Sequence, residues 1–254
     1  MKLRLIGTGY GICKIKKKFS RDLRGRGGVL FDEKLLIDAP DDVLTVADGF
    51  GYSDIIKDLT AVLISHSHAG HFSVETLMRL SERKRISVYA TDKVLDLIPD
   101  VYEIEKIRIA PFVPVEIGKF RILPLPANHS TDIEGEVCLN FIVVKDKAVF
   151  YALDSGGINF EAWQVLKAIK LDAVIMECAL ENKPYSDKNM VHQSLSSAKD
   201  VRAALISGGI LPDGARFLLT HIPTDRKREI HEELSALAAE YKMTVTYDGY
   251  FANI

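Results

Sequence analysis

The chemically loaded residues of this chain are its histidines, of which there are seven, and most of them stand at the ends of apolar runs. His66 and His68 follow TAVLIS directly, and His71 comes three residues later in HSHAGH. His129 follows ILPLPAN and His221 follows FLLT, while Asp154 ends AVFYAL just before Ser-Gly-Gly. Imidazole nitrogens with a carboxylate are what a divalent ion such as zinc takes, with three protein ligands and one position left for water. In an extended loop, residues two apart point the same way, so His66 and His68 can hold one ion together. His129 completes that set from another strand. His71, turned away at the start of the next helix, is free for a neighbouring ion; Asp154 can bridge the two and His221 can serve the second. An ion so held lowers the pKa of its water to roughly 7, giving hydroxide at neutral pH, and two ions about 3.5–4 Å apart would clamp substrate oxygens.

The elements that must position these residues can be read coarsely. Lys2 to Ile6 alternates as a strand, then breaks at GTGYG; GVLFD and KLLIDAP flank a turn and read as a hairpin. TAVLI is a buried strand, and Ser73 can cap a helix over VETLMRLSERK, in which Leu77 and Leu80 recur at helical spacing. ISVYA, KFRILPLPA, VCLNFIVV, AVFYALD, DAVIM and ARFLLT read as strands, with MTVTY as the strand that closes the chain. Helices are expected at FEAWQVLKAI, SLSSAKDVRAALIS and DRKREIHEELSALAAEYK. Hairpins followed by alternating strands and helices, occurring twice, suggest two β-rich halves with helices outside rather than one doubly wound sheet.

Taken together, the HxHxxH box, the later His129, Asp154 and the final His221 resemble the metallo-β-lactamase superfamily, in that order and across nearly the whole chain. The resemblance implies an α+β fold, an αββα sandwich of two mixed sheets with helices on the outer faces, spanning residues 1–254 as one hydrolase domain. The segment VHQSLSSAKDVRAAL, with His192 two residues before Ser194, is similar to the His-x-Ser box of ribonuclease Z and of the cyclic-phosphate phosphodiesterases of phosphonate metabolism. In those relatives the histidine faces the scissile phosphate and helps proton transfer, which makes His192 a candidate acid or phosphate ligand. The ending THIPTDRKREIHEEL with VTYDGY also resembles the phosphodiesterase branch.

Two departures from the family pattern matter. The box usually reads HxHxDH, but Gly70 stands at the Asp position, so a second ion would keep only His71, His221 and a share of Asp154. One or two ions, zinc or manganese (iron is a further option for such ligands), are therefore expected, with the second site weakened. The cysteine-rich zinc loop of phosphodiesterase relatives is reduced here to Cys13, so no structural zinc is expected there. Asp38, after LLI, resembles a recurrent acid that supports a ligand histidine, and reads equally well as a turn residue before Ala-Pro. His231, among Glu229, Glu232 and Glu233, reads as a solvated helix residue.

From Lys14 to Arg26 the chain carries seven basic residues against Asp22. That stretch is either a solvated loop or a basic arm leaning over the metal site, where Arg24 and Arg26, set among glycines, would favour an anionic substrate such as a phosphodiester. The remaining bulk properties are restrictive. A net charge of -2 argues against a general nucleic-acid or anionic-membrane binder. No stretch approaches the roughly 20 apolar residues of a membrane span. Three dispersed cysteines form no disulfide framework, so a cytoplasmic protein is expected. A homo-oligomer stays open. The reading is a metal-dependent hydrolase of a small phosphodiester, cyclic or open; a lactone or thioester hydrolase of the same fold, or a scaffold impaired by Gly70, are the competing readings.

Overall fold

The computed structural model describes residues 1–11, 24–82, 84–183, 191–223 and 228–254. In the first half the elements run β1 (Lys2–Gly7), β2 (Gly9–Tyr10), β3 (Gly28–Phe31), β4 (Leu35–Ile37), α1 (Asp42–Gly49), α2 (Ser53–Lys57), β5 (Ala61–Leu63), α3 (Val74–Ser81), β6 (Ile86–Ala90), α4 (Asp92–Leu95) and β7 (Ile104–Arg108). The second half continues with β8 (Val115–Ile117), β9 (Phe120–Pro126), β10 (Leu139–Val144), β11 (Ala148–Ala152), α5 (Phe160–Leu166), β12 (Ala173–Glu177) and α6 (Leu195–Ser207). After these come β13 (Arg216–Thr220), β14 (Ile222–Pro223), α7 (Arg228–Glu240), β15 (Thr244–Val245) and β16 (Tyr250–Asn253).

Two seven-stranded mixed sheets result, ordered β16-β1-β3-β4-β5-β6-β7 and β15-β13-β12-β11-β10-β9-β8. The period-2 patterns explain how they stack. Leu3, Leu5, Val29 and Phe31 of the first sheet pack with Phe120, Ile122, Phe141, Val143 and Tyr151 of the second in one buried cluster between the sheets. On the outer face of the first sheet, Leu30, Leu36, Val62 and Val88 meet Val43, Val46 and Leu77 of the helices. On the outer face of the second, Phe150, Val174 and Phe217 meet Leu166, Leu205 and Leu234. The layering is therefore α/β/β/α, the expected sandwich.

The expected Ser73 cap forms, accepting from the Thr76 amide. Ser194 and Ser197, not among the expected caps, make a reciprocal capping box at the start of α6. One expectation is corrected. The chain does not close with the strand in MTVTY but with β16, which returns to pair antiparallel with β1. Its four residues carry too little alternation to be read locally, and the partner that stabilises them lies at the opposite end of the chain.

What matters for chemistry is the edge at which strands end. β4, β5, β6 and β7 are mutually parallel in the first sheet, and β11, β12, β13 and β15 in the second. Parallel neighbours present their carboxyl ends on one edge, where α/β proteins build their sites. Among the described residues, no helix is long and apolar enough to cross a membrane.

Candidate metal centre

Five strand ends deliver the histidines and carboxylates to one place. β4 ends one residue before Asp38 and β5 runs into Ser65-His66-Ser67-His68; β9 leads to His129, β11 to Asp154 and β13 to His221. Three of these residues lie in the left-handed region, Asp38 at φ 62°, Asp154 at φ 44° and His221 at φ 58°. Such a conformation is strained for side chains other than glycine, costing of order 1–3 kcal/mol, and clusters at functional sites. Here it turns the chain abruptly where each strand stops. β14, which directly follows His221, pairs with β2, so Tyr10 lies edge-on to His192 with ring centroids 5.0 Å apart and within 4.9 Å of His221.

Around Asp154 the ligand-type atoms form three groups, each with its atoms within 4.8 Å of one another: His66, His68, His129 and Asp154; His71, Asp154 and His221; and Asp154, Glu177 and His192. In the first, His68 Nδ1 is 3.1 Å from His66 Nε2 and 3.2 Å from His129 Nε2, and Asp154 Oδ2 is 3.3 Å from His66 Nε2. In the second, Asp154 Oδ2 is 3.0 Å from His71 Nε2 and Oδ1 is 2.6 Å from His221 Nε2. Yet His71 Nε2, His221 Nε2 and Asp154 Oδ1 are buried without a directional hydrogen bond. Buried polar atoms are seldom left so. Lone pairs that crowd together without aiming at one another are what a divalent ion would satisfy, and the donor set suits zinc, manganese or iron.

Electrostatics in the ion-free chain agree for the first group. Burial, followed by the charge of His71, pushes His66 down to about 4, and burial likewise takes His129 to about 4. Both are therefore neutral and ready to donate a lone pair at pH 7. His71 goes the other way: although burial opposes it, the carboxylates of Asp154 and Asp38 raise it to about 10. Asp38 is buried and takes three donors, the Ser65 amide at 2.8 Å, the Tyr151 hydroxyl at 2.6 Å and His71 Nδ1 at 2.8 Å. Burial alone would raise its pKa, but the charge of His71 and these hydrogen bonds hold it below the usual carboxylate range.

The pocket over these groups has a volume of about 270 Å³ and is walled by Tyr10, Arg26, Gly70, His68, His71, His129, His192 and His221 with Asp154 at its floor. A family comparison then decides the lineage: the beta-lactamase superfamily domain matches residues 34–222. The chain belongs to that family. Among solved structures it is similar to the metallo-beta-lactamase fold protein YhfI of Bacillus subtilis (20% identity, TM-score 0.74, 99% of this chain and 98% of that one). It is also similar to human tRNase Z, short form (16%, 0.69, 100% and 99%), and to Zn(2+)-bound PqqB of Methylobacterium extorquens (14%, 0.70, 100% and 100%). These likenesses establish the fold. No curated protein sequence matches the chain.

Within this family site, the structure separates the two arginines. Arg26 lines the pocket, but its guanidinium is engaged by Asp41, by Asp42 at 3.0 Å and by the Ala69 carbonyl at 3.3 Å. Arg24 is not on the pocket wall. It is 2% exposed, donates to Thr8 Oγ1 and the Thr246 carbonyl, and lies 2.7 Å from His231 Nδ1. His231 is accordingly not a solvated residue; it is 8% exposed and shares a buried stripe of α7 with Leu234 and Ala238. Spacing of three and seven residues along that helix carries the signal, which the flanking glutamates obscure. Lys14, Lys16, Lys17, Lys18, Arg21 and Cys13 lie outside the described residues.

Sequence reasoning missed Glu177 and Tyr10. Glu177, at the end of β12, is fully buried; its carboxylate accepts from the Ser155 amide at 2.6 Å and from His192 Nδ1 at 2.9 Å. Its position as the last residue of DAVIME, at the same edge as Asp154, was the available signal. Gly70 is equally informative. A Cβ built on it meets no heavy atom within 4 Å, and its φ is not in the left-handed region. Gly70→Asp should therefore fold normally and tighten uptake of a second ion by about tenfold or more, the scale on which carboxylate contacts tune metal affinity. Ion stoichiometry by elemental analysis checks it; an unchanged count and affinity would show that this position is irrelevant to the second site.

Proposed function

We propose that this protein is a metal-dependent phosphodiesterase acting on a small, in some substrates cyclic, phosphodiester. The observation that carries the reading is the pair His192–Glu177, set against the histidine and aspartate groups inside one pocket. A cavity of about 270 Å³ suits a compact substrate, since drug-sized ligands occupy ≈ 300–1,000 Å³.

In this reading His66, His68 and His129 hold one zinc or manganese ion, Asp154 is shared, and His71 and His221 serve a second. The ion supplies Lewis acidity and a more acidic water. The chain's own residues do the rest. His192 stands beside the phosphate and donates a proton to the leaving oxygen, and Glu177 keeps its Nδ1 side engaged so that Nε2 is the working nitrogen. Burial lowers the His192 pKa, but the Glu177 hydrogen bond and charge outweigh this and raise it, as an acid requires. Tyr10 packs on His192 and His221 and limits their rotation. Arg26 presents positive charge at the rim if the substrate displaces one of its aspartate partners. The activity is taken to reside in one domain of residues 1–254, in the cytoplasm. Human tRNase Z, a structural relative by name a nuclease of transfer RNA, is compatible with phosphodiester chemistry in this fold; the net charge of -2 favours a small anion over a nucleic acid here.

Gly70 favours a second reading, a metal-binding scaffold with little hydrolysis. A panel of aryl phosphodiesters, lactones and thioesters, run on zinc- and manganese-loaded protein, tests both. Turnover chiefly of phosphodiesters is expected. Activity confined to lactones or thioesters would replace the proposed substrate class, and none with any substrate would favour the scaffold.

A further inference from the structure

We infer that Glu136 is a positioning residue for the first ion site, clamping together the two loops that supply its histidines. This inference rests on the metal-centre reading above. His66 and His68 come from the loop after β5, in one sheet, whereas His129 comes from the loop after β9, in the other. His68 Nδ1 and His129 Nε2 stand 3.2 Å apart across that boundary. Something must fix the gap between the two loops, because a ligand displaced by 1 Å no longer fits a coordination distance of about 2.0–2.1 Å.

The Glu136 carboxylate is placed to do so. Oε1 accepts from the amide of Ser67 at 2.7 Å, and Oε2 accepts from the Ser67 hydroxyl at 2.6 Å. Ser67 is the residue between the two ligand histidines. The same Oε2 accepts from the Thr131 hydroxyl at 2.7 Å, two residues beyond His129. One carboxylate thus holds the middle of HSH with both oxygens and the His129 loop with one of them. The loop is folded to bring it there: Thr131 Oγ1 accepts from the Ile133 amide at 3.2 Å, the Glu136 amide donates to the Ile133 carbonyl at 3.1 Å, and Gly135 takes φ 77° in between. A backbone bond from Leu139 to the Ser65 carbonyl, 3.0 Å, fastens the far end of the same loop pair. Glu136 secures the end nearer His68.

The donors also show why a carboxylate is used. Among the described residues Glu136 makes no ion pair; its partners are one amide and two hydroxyls. No described lysine or arginine neutralises its charge, and such charge-assisted bonds are roughly twice as strong as neutral ones. A glutamine could keep an oxygen on the Ser67 amide and let its NH2 donate to the two hydroxyls, which can accept. An alanine would release both loops.

The test measures zinc affinity against a chromophoric chelator and records the cobalt(II) absorption spectrum for wild type, Glu136→Ala, Glu136→Gln and a control, Asp132→Ala, an exposed residue of the same loop. Glu136→Ala should weaken the tighter zinc site about 10–100-fold, the range for groups that orient metal ligands, and change the cobalt spectrum. Glu136→Gln should recover most of the affinity, and Asp132→Ala should match wild type. If Glu136→Ala lowers only the melting temperature and keeps wild-type zinc affinity and spectrum, the clamp is structural and the inference is wrong. A wild type that binds neither metal overturns the metal-centre reading and this inference together, so the two failures are told apart.

Discussion

Asp154→Asn should leave the protein without tightly bound metal and lower phosphodiester turnover by at least about 10³-fold, roughly 4 kcal/mol of transition-state stabilisation. The expectation follows from position. Asp154 belongs to all three ligand groups, its Oδ2 facing His66 and His71 and its Oδ1 facing His221 and His192. Asparagine preserves size and tolerates the left-handed backbone at φ 44°, so the substitution isolates the charge. Although burial alone would raise it, the charges of His221 and His71 hold the Asp154 carboxyl well below its ordinary value.

The same substitution has a signature in ion-free protein. His71, raised to about 10 by Asp154 and Asp38 against the effect of burial, contributes stability that is fully present below its unfolded pKa of about 6.5. That contribution is lost as pH rises through about 10. Losing Asp154 lowers the folded pKa, so the ion-free variant should show a smaller fall in melting temperature between neutral and alkaline pH than wild type. Elemental analysis, kcat/KM and melting curves read these outcomes; a variant that keeps its metal and its turnover would remove Asp154 from the centre of the mechanism.

His192→Ala should reduce kcat about 10²–10⁴-fold, the usual range for a positioned general acid or base, with metal content unchanged. The loss should shrink for a p-nitrophenolate leaving group, which departs without a proton, and be largest for an alkoxide. Because the protonated imidazole is the active form, wild-type activity should fall as pH rises through the raised His192 pKa. Glu177→Gln, which removes the carboxylate bonded to His192 Nδ1 at 2.9 Å, should shift that alkaline limb to lower pH. Equal losses for good and poor leaving groups, with an unmoved pH profile, would assign His192 to binding alone.

How much of this was legible beforehand depended on the range of the interactions involved. The histidine box, His129, Asp154 and His221 could be found in the sequence because each directly follows an apolar run, and a buried strand announces itself by local composition. The layered fold was legible for the same reason, together with the Ser73 cap, which acts over three residues. Gly70 was visible as a departure from a pattern, but only three dimensions show that its missing side chain would have open space.

Other features depend on contacts between distant segments. β16 exists as a strand because β1 is there to pair with it. Arg24, in a basic run that reads as a surface arm, is drawn inside, where Thr8, Thr246 and His231 are among the partners of its guanidinium. Asp38 could equally have been a turn residue until Tyr151, 113 residues away, and His71 were seen to converge on it. Glu177 and Glu136 carry no local signature, since a lone glutamate at a strand end or in a loop is ordinary. Residue type and strand periodicity are properties of neighbouring residues and can be read from the chain itself. Which carboxylate meets which histidine is set by the stacking of two sheets, and only the folded protein decides it.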